Sequence, residues 1–306
     1  MNFFITVSAV GVMLLYACPG FLLVKVKAVK PEAIPAFSKV LLFFCQPCLI
    51  VYSLCRMEYS PGALKNLGIC FLFMTAVQIA VILTVFFIFY KKREEIVWRL
   101  LPIAAVFSNC GFLGVPLLER LLPDHPEAVA YSSIFSISMN MIGWTLGMYV
   151  ISREKKYISP VKMILNPAAL SFLAALPLFF FRVELHSFLA DAVELVGKMS
   201  APLCMIILGM RLATVKMRAL FGDWRQYLAV GLNQLLYPLL VFALMLLLPF
   251  DPVMKKTLVI LCACPVASMV QNYSELLCTG QDKAANMVLL GTVTSVLTVP
   301  LVCLIV

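Results

Sequence analysis

The sequence predicts an all-α membrane protein: ten transmembrane helices in two inverted five-helix repeats, with the fourth and ninth helices broken. Three observations predict it. The 306 residues are 63% hydrophobic and 13% charged, with a mean hydropathy of +1.01, too little polar surface for a soluble domain of this length. Roughly ten apolar runs of spanning length, about 20 residues each, fit along the chain. Two polar, glycine- or proline-broken stretches, Ser108 to Pro116 and Cys264 to Tyr273, interrupt those runs at matching places in the two halves.

The spans fall at about 2–24, 33–55, 64–90, 98–121, 127–150, 160–181, 187–212, 225–249, 254–278 and 283–306. The first starts at Asn2 without a basic leader and runs on past Tyr16 to Val24, so it reads as a span with a translocated N-terminus and not as a cleaved signal. The second follows Lys30 and carries Lys39 near its start, and the third ends at Lys91-Lys92-Arg93. The fourth carries the first break. The fifth holds Asn140 and a Gly143–Gly147 pair, and Arg153, Lys155 and Lys156 follow it. The sixth is uniformly apolar. The seventh ends near Arg211, the eighth holds Asn233 and Gln234, the ninth carries the second break, and the tenth follows Lys283.

Basic residues orient the spans. The odd-numbered connections hold 17 of the 24 lysines and arginines: Lys25, Lys27, Lys30, Lys39, Lys91, Lys92, Arg93, Arg99, Arg153, Lys155, Lys156, Lys162, Arg211, Lys216, Arg218, Arg225 and Lys283. The even side holds seven: Arg56, Lys65, Arg120, Arg182, Lys198, Lys255 and Lys256. Positive charge stays cytoplasmic, so both termini are expected outside the cell's inner (plasma) membrane. The net charge of +9 is therefore a topology signal and not a nucleic-acid footprint. The chain reads as one polytopic unit, 1–306, with a first repeat at 1–151 and a second at 157–306. Five spans per half is an odd number, which turns the halves opposite ways. An offset of 156 residues sets Glu119 on Glu275, Ala128 on Ala284, Asn109 on Pro265 and Pro116 on Asn272.

The breaks carry the chemistry. Irregular backbone at membrane depth is tolerated only against protein or a wet cavity. Paired breaks in the two halves point to a transporter's binding site. Gly111 and Gly114 remove side chains where a helix would unwind. Pro116 and Pro265 each lack a donor and clash with the preceding turn. A restarted half-helix offers unpaired N–H groups and partial positive charge, so two such starts meeting near the midplane make an anion site without a formal charge. Asn109, Gln271, Asn272 and Tyr273 bring amide and phenol groups to the same depth, and Asn140 lies in the fifth span. A single kink is more often packing than function; paired, amide-bearing kinks favour a substrate site.

Other residues read more plainly. The span centres hold almost no formal charge, which argues against cation exchange as the main task. Glu119 and Glu275 sit near the ends of the broken spans, as hydrated end charges or as groups linked to coupling or gating. Arg211 reads as a snorkelling cytoplasmic anchor, and His125 and His186 as solvated loop residues. Gly143 and Gly147 form a GxxxG pattern, read as packing within the bundle and secondarily as a homodimer seam. Asn233, Gln234 and Gln78 read as interhelical glue. The eleven cysteines lie almost all in apolar runs and lack metal spacing, so they read as small hydrophobes, with no metal, disulfide or cofactor.

The stretch from Asn109 to Pro116 resembles the fourth-span signature of the auxin efflux carrier family. Asn140 through Gly147, with Trp144-Thr145, is similar to that family's fifth-span pattern. Asn166-Pro167 and Pro202 through Gly209 resemble its sixth and seventh spans. The resemblance covers essentially the whole chain. It implies a bile acid symporter and sodium/proton antiporter-like fold, with the fourth and ninth helices crossing at their breaks, a scaffold and a transport domain, and elevator-type alternating access. It implies small organic anions as substrates, such as malate, malonate or auxin-like acids. The fifth connection is short, as in a compact prokaryotic member. Asn109 and Pro116 match the family's fourth-span Asn and crossover Pro, and Pro265 is the match in the ninth.

The expected function is secondary transport of a small organic carboxylate across the bilayer, with proton, potential-driven or no coupling all open. A channel or a membrane sensor is the alternative. No His-Glu-x-x-His, Gly-x-Ser-x-Gly or phosphate-cradling Gly-Lys-Ser/Thr run is present, which argues against an enzyme and against ATP-driven pumping by this chain alone.

Overall fold

A computed structural model describes residues 3–55, 61–157, 161, 167–181, 185–215 and 220–305. Asn2, Arg56, Lys162, Asn166, Arg182, Lys216 and Arg218 lie outside the described residues. Every regular element among the described residues is a helix. In chain order they are α1 (Phe3–Leu15), α2 (Ala17–Lys25), α3 (Pro31–Cys55), α4 (Pro61–Ile88), α5 (Ile96–Ala104), α6 (110–121), α7 (Glu127–Ser152), α8 (Pro167–Phe181), α9 (Ser187–Thr214), α10 (Trp224–Leu246), α11 (Pro252–Ala263), α12 (Ser268–Leu276) and α13 (Gln281–Cys303).

Six of them are long and apolar enough to cross a membrane: α3, the Leu64–Ile88 part of α4, α7, α9, α10 and α13. Shorter apolar helices run at Val10–Lys25 and Ala169–Phe181. The most apolar stretch of α4 is only 28% buried. Leu72, Phe87 and Ile88 stand outward on it. A surface of that kind has lipid, not water, as its solvent. By contrast α7 and α13 are 72% and 67% buried over their apolar stretches. They are the central helices, and the broken helices lie against them.

The helices pack in two groups. In one, α2 lies along α9, and α3 lies against α8 and α9. The α2–α9 seam brings backbone onto backbone: a Cβ on Gly20 would overlap the Ile206 carbonyl oxygen, and one on Gly209 the Ala17 carbonyl oxygen. Small residues permit this approach, and close packing drives helix association in lipid. In the other group α4 lies against α5 and α7, while α10, α11, α12 and α13 pack on one another. Hydrogen bonds reinforce it. Gln234 on α10 donates through Nε2 to the Gly291 carbonyl at 2.5 Å, and its Oε1 accepts from Thr294 at 2.9 Å and Thr298 at 2.6 Å. Asn233 donates to the Ser108 hydroxyl at 3.3 Å. Both amides are the glue that the sequence suggested.

Two expected spans are interrupted. α5 and α6 are separated by 105–109, and α11 and α12 by 264–267. The second interruption is encoded locally. Cys264 precedes Pro265 and sits at ψ 149°, the extended conformation that a following proline imposes. The first lies one turn before the glycines that marked it in the sequence. Gly111 and Gly114 belong to a π-helical turn, Cys110–Gly114, that opens α6. Pro116 lies seven residues into α6, directly after the π turn, so the donor it lacks is missing from inside that helix, downstream of the interruption at 105–109. Pro116 therefore does not make the break.

Candidate functional site

The two unwound links meet. Ser108 and Val266 face each other as a single antiparallel bridge. The Asn109 N–H donates to the Pro265 carbonyl at 2.7 Å, and the Ala267 N–H to the Phe107 carbonyl at 2.7 Å. The Ser108 hydroxyl donates to the Cys262 carbonyl at 3.1 Å, and the Ser132 hydroxyl to the Cys110 carbonyl at 2.8 Å. Each link thus supplies partners for backbone groups that unwinding frees, which burial in lipid requires.

The first turns of α6 and α12 converge on one small cavity of about 20 Å³, lined by Asn109, Gly111, Ser136, Ser268 and Asn272 among others. A second cavity of about 20 Å³ adjoins it and is lined by Asn109, Arg211, Ser268, Gln271 and Asn272. Each has room on the scale of a single water. A vestibule of about 390 Å³ follows, with Lys39, Gln46, Asn140, Trp144, Asn272 and Glu275 on its walls. That volume lies within the usual range for small-molecule sites, roughly 300–1,000 Å³. Asn272 lines all three spaces.

The expected site residues divide accordingly. Asn109, Gly111, Asn140, Gln271, Asn272 and Glu275 line this chain of cavities. Asn140 is buried and donates to the Ser136 carbonyl of its own helix at 2.8 Å. Pro265 acts through its carbonyl at the crossing. Gly114 is a packing residue: a Cβ there would stand 2.6 Å from Leu261 Cδ2. Tyr273 is on the vestibule wall, but its hydroxyl is buried without a hydrogen-bond partner. Its ring lies edge-on to Trp144, centroids 5.6 Å apart, and against Gly143. Gly143 thus packs within the bundle, filled by Tyr273 and closed to a second copy's helix. Glu119 is exposed toward the end of α6 and lines none of these cavities.

Arg211 departs from the snorkelling role expected of it. It pairs with Glu275 through Nη2, while its Nε is buried without a hydrogen-bond partner. A buried donor left unmade costs about 1–3 kcal/mol, so this arginine is incompletely satisfied. Gln271 Nε2 donates to the same Glu275 oxygen at 2.9 Å. Sequence reasoning also missed Gln46, which is buried and donates to Ser136 Oγ at 3.3 Å. A glutamine deep in an apolar run was the available signal.

The site can hold an anion by helix-start N–H groups, two asparagines and one arginine, without metal ligands in view; no cluster of metal-binding side chains occurs among the described residues. Long lipid-facing helices around a polar crossing of two unwound helices define a multi-pass membrane transport protein. Residues 4–161 and 156–303 match the family model described as membrane transport protein, and the chain belongs to that family, the auxin efflux carriers. No curated protein sequence matches the chain.

Proposed function

We propose that this protein is a secondary carrier of a small organic carboxylate, mono- or dicarboxylate, with the anion held in the vestibule and its carboxylate directed at the crossing of the two unwound links. The convergence of the α6 and α12 starts on Asn109 and Asn272 carries the proposal. Helix starts favour negative charge, and the paired amides orient a carboxylate. The transport role makes an enzymatic one unnecessary. In this reading the chain has ten spans in two inverted repeats, 1–151 and 157–306, with α1 and α2 together as one span, α8, and the two broken helices completing the six long ones. The group containing α2, α3, α8 and α9 is the scaffold, and the group around α7 and α13 moves against it as an elevator. Both termini lie outside the plasma membrane, which places Lys39, Glu275 and the vestibule toward the cytoplasm. The sequence pattern of basic loops supports that orientation.

Solid-supported-membrane recordings on proteoliposomes test the reading. Small, saturable currents that depend on an added carboxylate and disappear in Asn109→Ala are expected. Large, non-saturating currents would instead assign a channel.

A further inference from the structure

Arg211 and Glu275 pair where the vestibule adjoins one of the two small inner cavities. Arg211 lines the inner cavity beside Asn109, Ser268 and Asn272. Glu275 lines the vestibule. The bond between them therefore stands between the roomy space and the crossing. It also ties α9 to α12, that is, one packed group of helices to the other.

The pairing is one-sided. Arg211 Nη2 and Gln271 Nε2 both bond the same oxygen, Glu275 Oε1. Arg211 Nε, buried beside them, bonds nothing. A carboxylate satisfies an arginine best by two parallel bonds along one edge of the guanidinium. Glu275 leaves that edge half used. An incoming carboxylate could take both Nε and Nη2, provided that Glu275 withdraws. The vestibule offers Glu275 a place to go, with Lys39 on its wall.

We propose that Arg211 is the carboxylate receptor of the site and that Glu275 is a resident stand-in, displaced when the transported anion arrives. The proposal rests on the organic-anion reading above and deepens it. Without substrate, Glu275 keeps the arginine neutralised, because an unpaired charge away from water is costly. With substrate, one carboxylate replaces another on Arg211. The exchange releases α12 from α9, so loading loosens the tie between the two helix groups. Selectivity follows: acids bind, and their uncharged amides do not.

The test measures thermal stabilisation of the purified full chain and of Arg211→Gln, Glu275→Gln and the double variant. The probes are lactate, malonate, malate and indole-3-acetate, with malonamide as the uncharged control. At least one acid is expected to bind while malonamide does not. Arg211→Gln should weaken that acid about tenfold or more, the scale of a lost charge-assisted contact. Glu275→Gln should tighten it several-fold, because the competitor is gone. The double variant should bind as weakly as Arg211→Gln while unfolding near the native temperature, and it carries the test if Arg211→Gln alone does not fold. Native-like binding in the arginine variants overturns the receptor assignment and leaves the carrier reading standing. Unchanged or weaker binding in Glu275→Gln overturns the stand-in. If no acid stabilises any of the four proteins, the organic-anion reading falls, and this proposal with it.

Discussion

Gly143 lies so close to Tyr273 that a Cβ on residue 143 would overlap the phenol oxygen and stand 2.7 Å from ring atom Cε2. The Tyr273 ring is buried and lies edge-on to Trp144, so making room for the methyl means giving up that contact. Gly143→Ala should therefore destabilise the protein by about 1–3 kcal/mol, the usual cost of overpacking. Gly147→Ala is the control, because its nearest contact would be an ordinary 3.6 Å. Thermal unfolding in detergent should separate the two; equal midpoints would show that the ring moves freely.

The α2–α9 seam makes a sharper prediction. Gly20→Ala and Gly209→Ala each drive a methyl into backbone of the opposite helix, and backbone cannot rotate away as a side chain can. Both variants should lose most of their monodisperse yield. Gly11→Ala, with nothing within 4 Å of the added carbon, should express normally. Normal yield of the seam variants would mean that the helices can part without cost.

At the crossing, the side chain and the backbone of Asn109 have separable roles. Asn109→Ala removes the amide that faces two cavities but keeps the N–H that bonds Pro265. It should abolish carboxylate uptake while shifting the unfolding midpoint little. Asn109→Pro removes that N–H as well, and should lower stability in addition. Uptake at the native rate by well-folded Asn109→Ala protein would refute the assignment.

Outside the membrane, Asp223 precedes α10 and accepts from Arg225 Nε at 2.8 Å and from Lys283 Nζ at 2.9 Å. The Arg225 bonds first, and Lys283 after them, hold its carboxyl well below the usual carboxylate range, against the opposing effect of burial. A carboxyl with a depressed folded-state value stabilises fully above its ordinary unfolded value, about pH 4. That stability is lost as pH falls below it, through the folded value. Asp223→Asn should be less stable than the native chain at pH 7, by an amount that stays level down to about pH 4–5 and then shrinks. Unfolding midpoints measured from pH 7 to pH 3 would show it; a gap that does not narrow at the acid end would exclude the ion-pair origin.

The legibility of the sequence differs between the two interruptions for a physical reason. Pro265 acts on its immediate neighbour, so its break can be read from two adjacent residues. The break at Phe107–Asn109 has no proline within it and is held by bonds to residues more than 150 positions away. Gly111, Gly114 and Pro116 mark the neighbourhood because they lie in the restarted helix, not because they unwind the link before it. Arg211 was misread for the same reason. A basic residue near the end of an apolar run looks like an anchor until its partner, 64 residues on, is in place. Gln234 and Asn233 were legible because an amide inside an apolar run has few alternatives to a neighbouring helix.

The bridge between the links is made by main-chain atoms: N–H groups of Asn109 and Ala267, carbonyls of Pro265 and Phe107. Any residue except proline can donate at 109 and 267, and any residue at all can accept at 107 and 265. Relatives could therefore exchange the side chains around the crossing, and with them the preferred cargo, while inheriting an unchanged pivot.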